Sequence, residues 1–191
     1  MNELPDGFAV RFADHVRVRD DGRTLIGGAP LRVSRLSKTA SDLFSGETLR
    51  VGSPASRLLA ESLLNSGIAE PVVDVLDDID IDEVTCVIPV RDRATSLDRL
   101  LSSIDGLPHV VVVDDCSDVP ELIAEVCRRH DAQLIALHRN LGPAGARNAG
   151  LGEVTTPYVL FVDSDVVITI RAVATLLKHF HDPKVGAVTS D

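Results

Sequence analysis

The chain has 191 residues, 45% of them hydrophobic, and a formal net charge of −10. That length suffices for one ordinary domain, or for one small domain and part of a second. The acidic balance argues against nucleic acid as a partner, because phosphates need a basic surface, and 3% aromatic residues without tryptophan argue against a base-stacking platform or an aromatic sugar groove.

In chain order, Phe8, Val10 and Phe12, then Val16 and Val18, alternate with polar residues and predict strands, with Asp20 to Gly22 as a turn. "LSKTASDLFSG" predicts a short helix capped by Ser37 and ended by Gly46, with Leu36, Ala40, Leu43 and Phe44 on one face. "SPASRLLAESLLNSG" predicts a second helix, with Ser53 as N-cap, Pro54 at the first helical position and Gly67 just past the end. Leu59, Leu63 and Ser66 share its apolar stripe, which Leu58 and Leu64 widen. "GIAEPVV" follows as a closing strand. Together these describe a small α+β, winged-helix-like domain over residues 1–73. Such modules often bind DNA, but residues 1–83 hold nine basic against fifteen acidic side chains. A protein-binding or purely structural role is therefore favoured. Asp74 to Glu83 has six acids in ten residues and reads as an exposed linker whose Val, Leu and Ile can lie against a neighbour.

Residues 84–191 alternate strand and helix. Strands are expected at Val84–Val90, Val110–Asp114, Gln133–Leu137 and Tyr158–Val162, and a fifth begins at Val185–Val188. The helices between them are Ser96–Asp105, Val119–His130, Pro143–Leu151 and Ile170–Phe180. Continuous apolar strands joined by helices predict a parallel α/β sheet, in which ligands bind beyond the carboxyl ends of the strands. Polar stretches stand at those ends: "RDR", "DDCSD", "HRN" and "DSD". Cys86 and Cys116 read as small core residues in apolar strand contexts. With Cys127 they make an odd set without CxxC spacing, and nothing suggests an oxidising compartment. The first ten residues lack a signal-peptide pattern and no apolar run reaches membrane-spanning length, so a cytoplasmic chain without a membrane segment is expected.

Asp163 and Asp165 lie two residues apart on an extended segment, so both carboxylates can face one ligand. Hard oxygen donors of this kind suit Mg²⁺ or Mn²⁺ completed by phosphates and water; the competing role is a helix cap. Asp114 or Asp115 can accept from a ligand's N–H or hydroxyl groups, or can bond its own turn. Gly142, Pro143 and Gly145 open a helix whose free N–H groups and positive dipole end point toward the site, with Arg147 one turn in. Close helix–sheet packing explains the same glycines. GxxxxGK[ST], GxGxxG, GxSxG and HExxH are absent. His15, His109, His130, His179 and His181 carry no pattern, while His138 lies near the sheet edge.

The ordered set "VIPVRDR", "VVVVDDCSD", "NLGPAGARNAGL" and "YVLFVDSD" resembles the nucleotide-sugar half of family 2 glycosyltransferases, which have the GT-A Rossmann-like fold. The resemblance implies that Pro89 and Arg91 lie beside the nucleobase, Arg91 standing where the family commonly has Tyr. It places Asp115 at the uracil ring, Gly142 and Arg147 near the nucleotide, Asp163 near ribose or sugar, and Asp165 on a Mn²⁺ or Mg²⁺ ion. The N-terminal stretches are similar to those of the glycosyltransferases of the mycofactocin system, a peptide-derived redox cofactor. The implied reaction is metal-assisted, inverting transfer of a hexose, glucose by resemblance, from a UDP-sugar to a peptide-derived acceptor. In that family the catalytic base lies downstream of the DxD segment, so these residues are expected to form the donor half only, with the base beyond Asp191. A non-enzymatic nucleotide- or peptide-binding fragment is the alternative. A nicotinamide oxidoreductase is disfavoured by the missing glycine fingerprint.

Overall fold

The computed structural model describes residues 3–189. The chain divides into two compact units, Met1–Asp78 with Thr175–Asp191, and Ile79–Ala174, each with its own apolar core.

In the first unit the elements are β1 (Ala9–Phe12), β2 (Arg17–Arg19), β3 (Thr24–Gly27), β4 (Arg32–Arg35), α1 (Lys38–Ser41), β5 (Phe44–Ser45), β6 (Thr48–Arg50), α2 (Pro54–Asn65) and β7 (Ala69–Pro71). They build two antiparallel sheets, ordered β5-β6-β1-β7 and β2-β3-β4. The β2–β3 turn uses Asp20, Asp21 and Gly22 at φ of 52°, 52° and 86°, a region that aspartate and glycine enter most cheaply. At the start of α2, Ser53 Oγ accepts from the Ser56 amide and the Ser53 amide donates back to Ser56 Oγ, a reciprocal cap.

Two expectations change here. Phe44 leaves the first helix, which is a single turn after Ser37, and starts β5, where its ring stacks on Phe12 at 4.8 Å. One turn of helix offers few hydrogen bonds, so burial of the aromatic ring decides the local structure. On α2 the buried stripe is Ser56, Ala60 and Leu63, while Leu58 is 70% exposed. Leu58 stands two residues from both Ser56 and Ala60, about 200° round the helix from each. Leu76, inside the acidic stretch, is buried in this core, as an apolar residue lying against a neighbour would be.

In the second unit the elements are β8 (Val84–Val90), α3 (Ala94–Ser103), β9 (Val110–Asp114), α4 (Pro120–Arg129), β10 (Gln133–Ala136), α5 (Gly142–Leu151) and β11 (Tyr158–Phe161); α6 (Ile170–Lys178) follows. The sheet order is β10-β9-β8-β11, parallel at every pairing. β8 is central and almost wholly buried, which explains its unbroken apolar run. Val87, Val111 and Val113 face α5, whose Ala146 is fully buried against them. A Cβ added at Gly150 would stand 2.4 Å from Val87 Cγ1 and 3.0 Å from Val113 Cγ2, so α5 rides as close to the sheet as backbone allows. α3 packs on α4, and α4 on β9 and β10, as right-handed crossovers to the opposite face require. The order reverses between β8 and β11, and a crevice opens there beyond the strands' carboxyl ends.

The strand expected at Val185–Val188 does not form. A strand exists only through its ladder. This short run contains Gly186 and belongs to the first unit, whereas the parallel sheet lies in the second. Cys116 is likewise not a strand residue. It sits half-buried in the turn after β9 at φ 64°, and the second core cysteine is Cys127 on α4. Among the described residues no helix is long and apolar enough to cross a membrane.

Candidate functional site

Four loops meet at the switch point, and side-chain bonds lock two of them together. After β8 the chain turns through Asp92 at φ 57°. The Asp92 amide donates to Ser117 Oγ at 2.9 Å, and Asp92 Oδ1 accepts from the Asp118 amide at 2.7 Å. Ser117 in turn donates its hydroxyl and amide to Asp114 Oδ1, at 2.5 and 3.0 Å. The two aspartates of "DDCSD" thus divide the labour that the sequence leaves open. Asp114, 1% exposed, closes the turn, and Asp115, 5% exposed, lines the crevice. Asp115 Oδ1 accepts from the Leu141 amide at 2.6 Å and its own amide donates to Val90 O at 2.9 Å, which ties the approach to α5 to the ends of β8 and β9.

α5 begins at Gly142, φ 73°, whose amide donates to Asn140 Oδ1 at 2.8 Å. Nothing lies within 4 Å of where a Cβ would stand, so the backbone there is open to close approach. One turn on, Arg147 Nη2 donates to Asp163 Oδ1 at 2.5 Å. Beyond β11 the chain turns, the Val166 amide donating to Asp163 O at 3.1 Å, and Asp163 and Asp165 are exposed while Ser164 between them is buried. Asp165 Oδ2 accepts from Arg93 Nη1, an ion pair that joins the loops on either side of the switch point.

These groups line a cleft of about 790 Å³, a size that suits a nucleotide-sized ligand. Pro89, Arg91, Asp115, Gly142, Arg147, Asp163 and Asp165 are all on its wall. Arg93, Asn140 and Ser164 line it too and carry no role in the sequence reading. The clue to Arg93 is its place in "RDR" at a strand's carboxyl end. His138 is exposed and off the wall, and His130 is no bystander, since its Nε2 bonds Asp98 Oδ1 at 2.8 Å between α4's end and α3.

The cleft wall carries three arginines, Arg91, Arg93 and Arg147, against four aspartates, Asp92, Asp115, Asp163 and Asp165. Net charge alone therefore does not attract an anion. Among the described residues no group of three or more His, Cys, Asp or Glu could cage a metal. Asp163 and Asp165 stand in a turn, where their spacing predicts an extended segment, but two exposed carboxylates on one cleft wall still fit Mg²⁺ or Mn²⁺, which take one or two carboxylates and complete their shell with phosphates and water.

A model of the family described as "Glycosyl transferase family 2" matches residues 85–190. Over 186 residues the chain is 41% identical to "Pre-mycofactocin glycosyltransferase" of Mycobacterium tuberculosis strain H37Rv, covering 97% of this chain and 39% of that protein. It is 28% identical over 124 residues to "Poly-beta-1,6-N-acetyl-D-glucosamine synthase" of Staphylococcus aureus strain COL, covering 60% of this chain and 30% of that one. Among solved structures, S. aureus TarS 1-349 in complex with UDP is 31% identical with a TM-score of 0.45, over 52% of this chain and 33% of that one. The chain spans about two fifths of the length of the mycobacterial relative.

Proposed function

The chain belongs to glycosyl transferase family 2, and from that premise we propose that its second unit binds a UDP-hexose for inverting, metal-assisted transfer to the peptide-derived core of mycofactocin. The acceptor is proposed from the likeness to the mycobacterial relative, which runs through 97% of this chain, and glucose from the resemblance of its sequence motifs. The observation that carries the donor reading is the convergence of Asp115, Gly142, Arg147, Asp163 and Asp165 on one cleft at the switch point of a parallel sheet.

In this reading Asp115, buried and held by the Leu141 amide, accepts from the nucleobase N–H, with Pro89 and Arg91 beside the base. Gly142 lets backbone approach the ligand closely, and Arg147 orients Asp163 toward ribose or sugar. Asp165, with Asp163 beside it, would hold Mn²⁺ or Mg²⁺, and the ion would offset charge building on the departing diphosphate. Asp92, Asp115, Asp163 and Asp165 are each already bonded, to the Asp118 amide, the Leu141 amide, Arg147 and Arg93. None of them is assigned as the base that deprotonates the acceptor.

Calorimetric titration of UDP with and without Mn²⁺, repeated with Asp165→Ala, tests the reading, with circular dichroism to confirm folding. Binding that needs the metal and vanishes in the variant is expected; a folded chain that binds no UDP, or binds it without metal, overturns it. Because none of the described cleft carboxylates is assigned as the base, a second reading for these residues is nucleotide binding without transfer. Release of UDP from UDP-glucose in the presence of acceptor would exclude it.

A further inference from the structure

We infer that Arg93 is an exchange residue: it holds Asp165 until a divalent cation takes that carboxylate, and then becomes a ligand of the nucleoside diphosphate. The inference rests on the donor-site reading above and goes beyond it by coupling the two ligands through one side chain.

Three observations carry it. First, Arg93 and Asp165 are 72 residues apart in sequence and flank the crevice from opposite sides, after β8 and β11. Their pair therefore stands where a ligand in the crevice must lie. Second, the pair is exposed, with side chains 56% and 50% accessible. Such a pair is weak and salt-screened, so a doubly charged cation can displace the guanidinium. Third, among the described residues the cleft's other acids already have donors of their own, so Asp165 is the acid that Arg93 is paired with. Asp163 is held by Arg147, Asp115 by the Leu141 amide, and Asp92 by the Asp118 amide with Arg91 Nε at 3.5 Å.

A free guanidinium beside a divalent cation is repelled unless an anion arrives. A diphosphate supplies one, and its oxygens match the planar fork of arginine. Cation and nucleotide are then positively coupled, and the coupling must act equally in both directions. Arg147 is the less apt exchanger, being the more buried arginine at 36% and fixed to the face of α5.

The test is Arg93→Gln in the full chain, with two titrations: Mn²⁺ alone, followed by the electron-spin-resonance signal of the free ion, and UDP at saturating Mn²⁺, followed by calorimetry. Losing the competing guanidinium should tighten Mn²⁺ alone by up to about fivefold. Losing a charge-assisted phosphate contact should weaken UDP by roughly tenfold or more. Arg93→Lys, which keeps the charge without the fork, should fall between wild type and Gln for UDP. Opposite signs are the signature, because a merely structural role would weaken both or neither. If both affinities move together, or neither moves, while wild-type UDP binding needs Mn²⁺ and dies in Asp165→Ala, the inference fails and the donor-site reading stands. If wild-type UDP binding ignores Mn²⁺, both fall.

Discussion

Replacing Gly150 by alanine tests whether α5 is seated as tightly as the structure has it. In an exposed helix interior, alanine is favoured over glycine by about 0.8–1 kcal/mol, so propensity alone predicts a more stable protein. At Gly150 the new methyl would lie 2.4 Å from Val87 Cγ1 and 3.0 Å from Val113 Cγ2. Both valines are buried in the centre of the sheet and cannot swing away. Overpacking of this kind costs about 1–3 kcal/mol, which gives a net loss of about 0–2 kcal/mol after the propensity gain. The displacement also has a functional cost, because α5 carries Gly142 and Arg147 to the cleft. Urea denaturation followed by circular dichroism should show a lower midpoint for Gly150→Ala, and UDP affinity at saturating Mn²⁺ should drop. Asn148→Ala, exposed on the same helix, is the control and should be neutral or stabilising. A Gly150→Ala protein stabilised by about 1 kcal/mol, as propensity alone dictates, would refute the close seat of α5.

Burial pushes the thiol of Cys86 up to about 12 and that of Cys127 up to about 11, whereas Cys116 sits half-buried in a turn. At pH 8 a thiol reagent should therefore label one cysteine quickly in the native chain and three in urea; fast labelling of three in the native chain would contradict the core. The hydrogen bond from His130, helped by Arg129, holds the Asp98 carboxyl below its usual range. A depressed carboxylate contributes stability that is present above the unfolded value, near 4, and is lost as pH falls through the folded one. The stability difference between wild type and Asp98→Asn should thus shrink below about pH 4, and a difference that stays constant from pH 7 to pH 3 would discount the pair.

The strand–helix alternation of residues 84–161, the cap and stop of α2, and the polar strand ends were all legible, because each rests on local chemistry. Buried central strands need unbroken apolar runs, and Ser53, Pro54 and Gly67 each answer a backbone demand at a helix end. Phe44, Leu58 and the Val185–Val188 run were misjudged for the converse reason: ring stacking, position round a helix and ladder pairing depend on partners that periodicity does not name. The site shows the same division. Asp163 and Asp165 share one cleft wall, yet not through the pleat that their spacing predicts: the chain turns after β11, with the Val166 amide donating to Asp163 O. That Asp114 closes a turn while Asp115 faces the crevice was undecidable until Ser117 and Leu141 were in place. The pairing of Arg93 with Asp165 was beyond reach of the sequence, because only the order β10-β9-β8-β11 makes neighbours of two loops 72 residues apart. Local backbone chemistry wrote the elements and their polar ends; which ends meet was decided by the way parallel strands must cross over to bury both faces of one sheet.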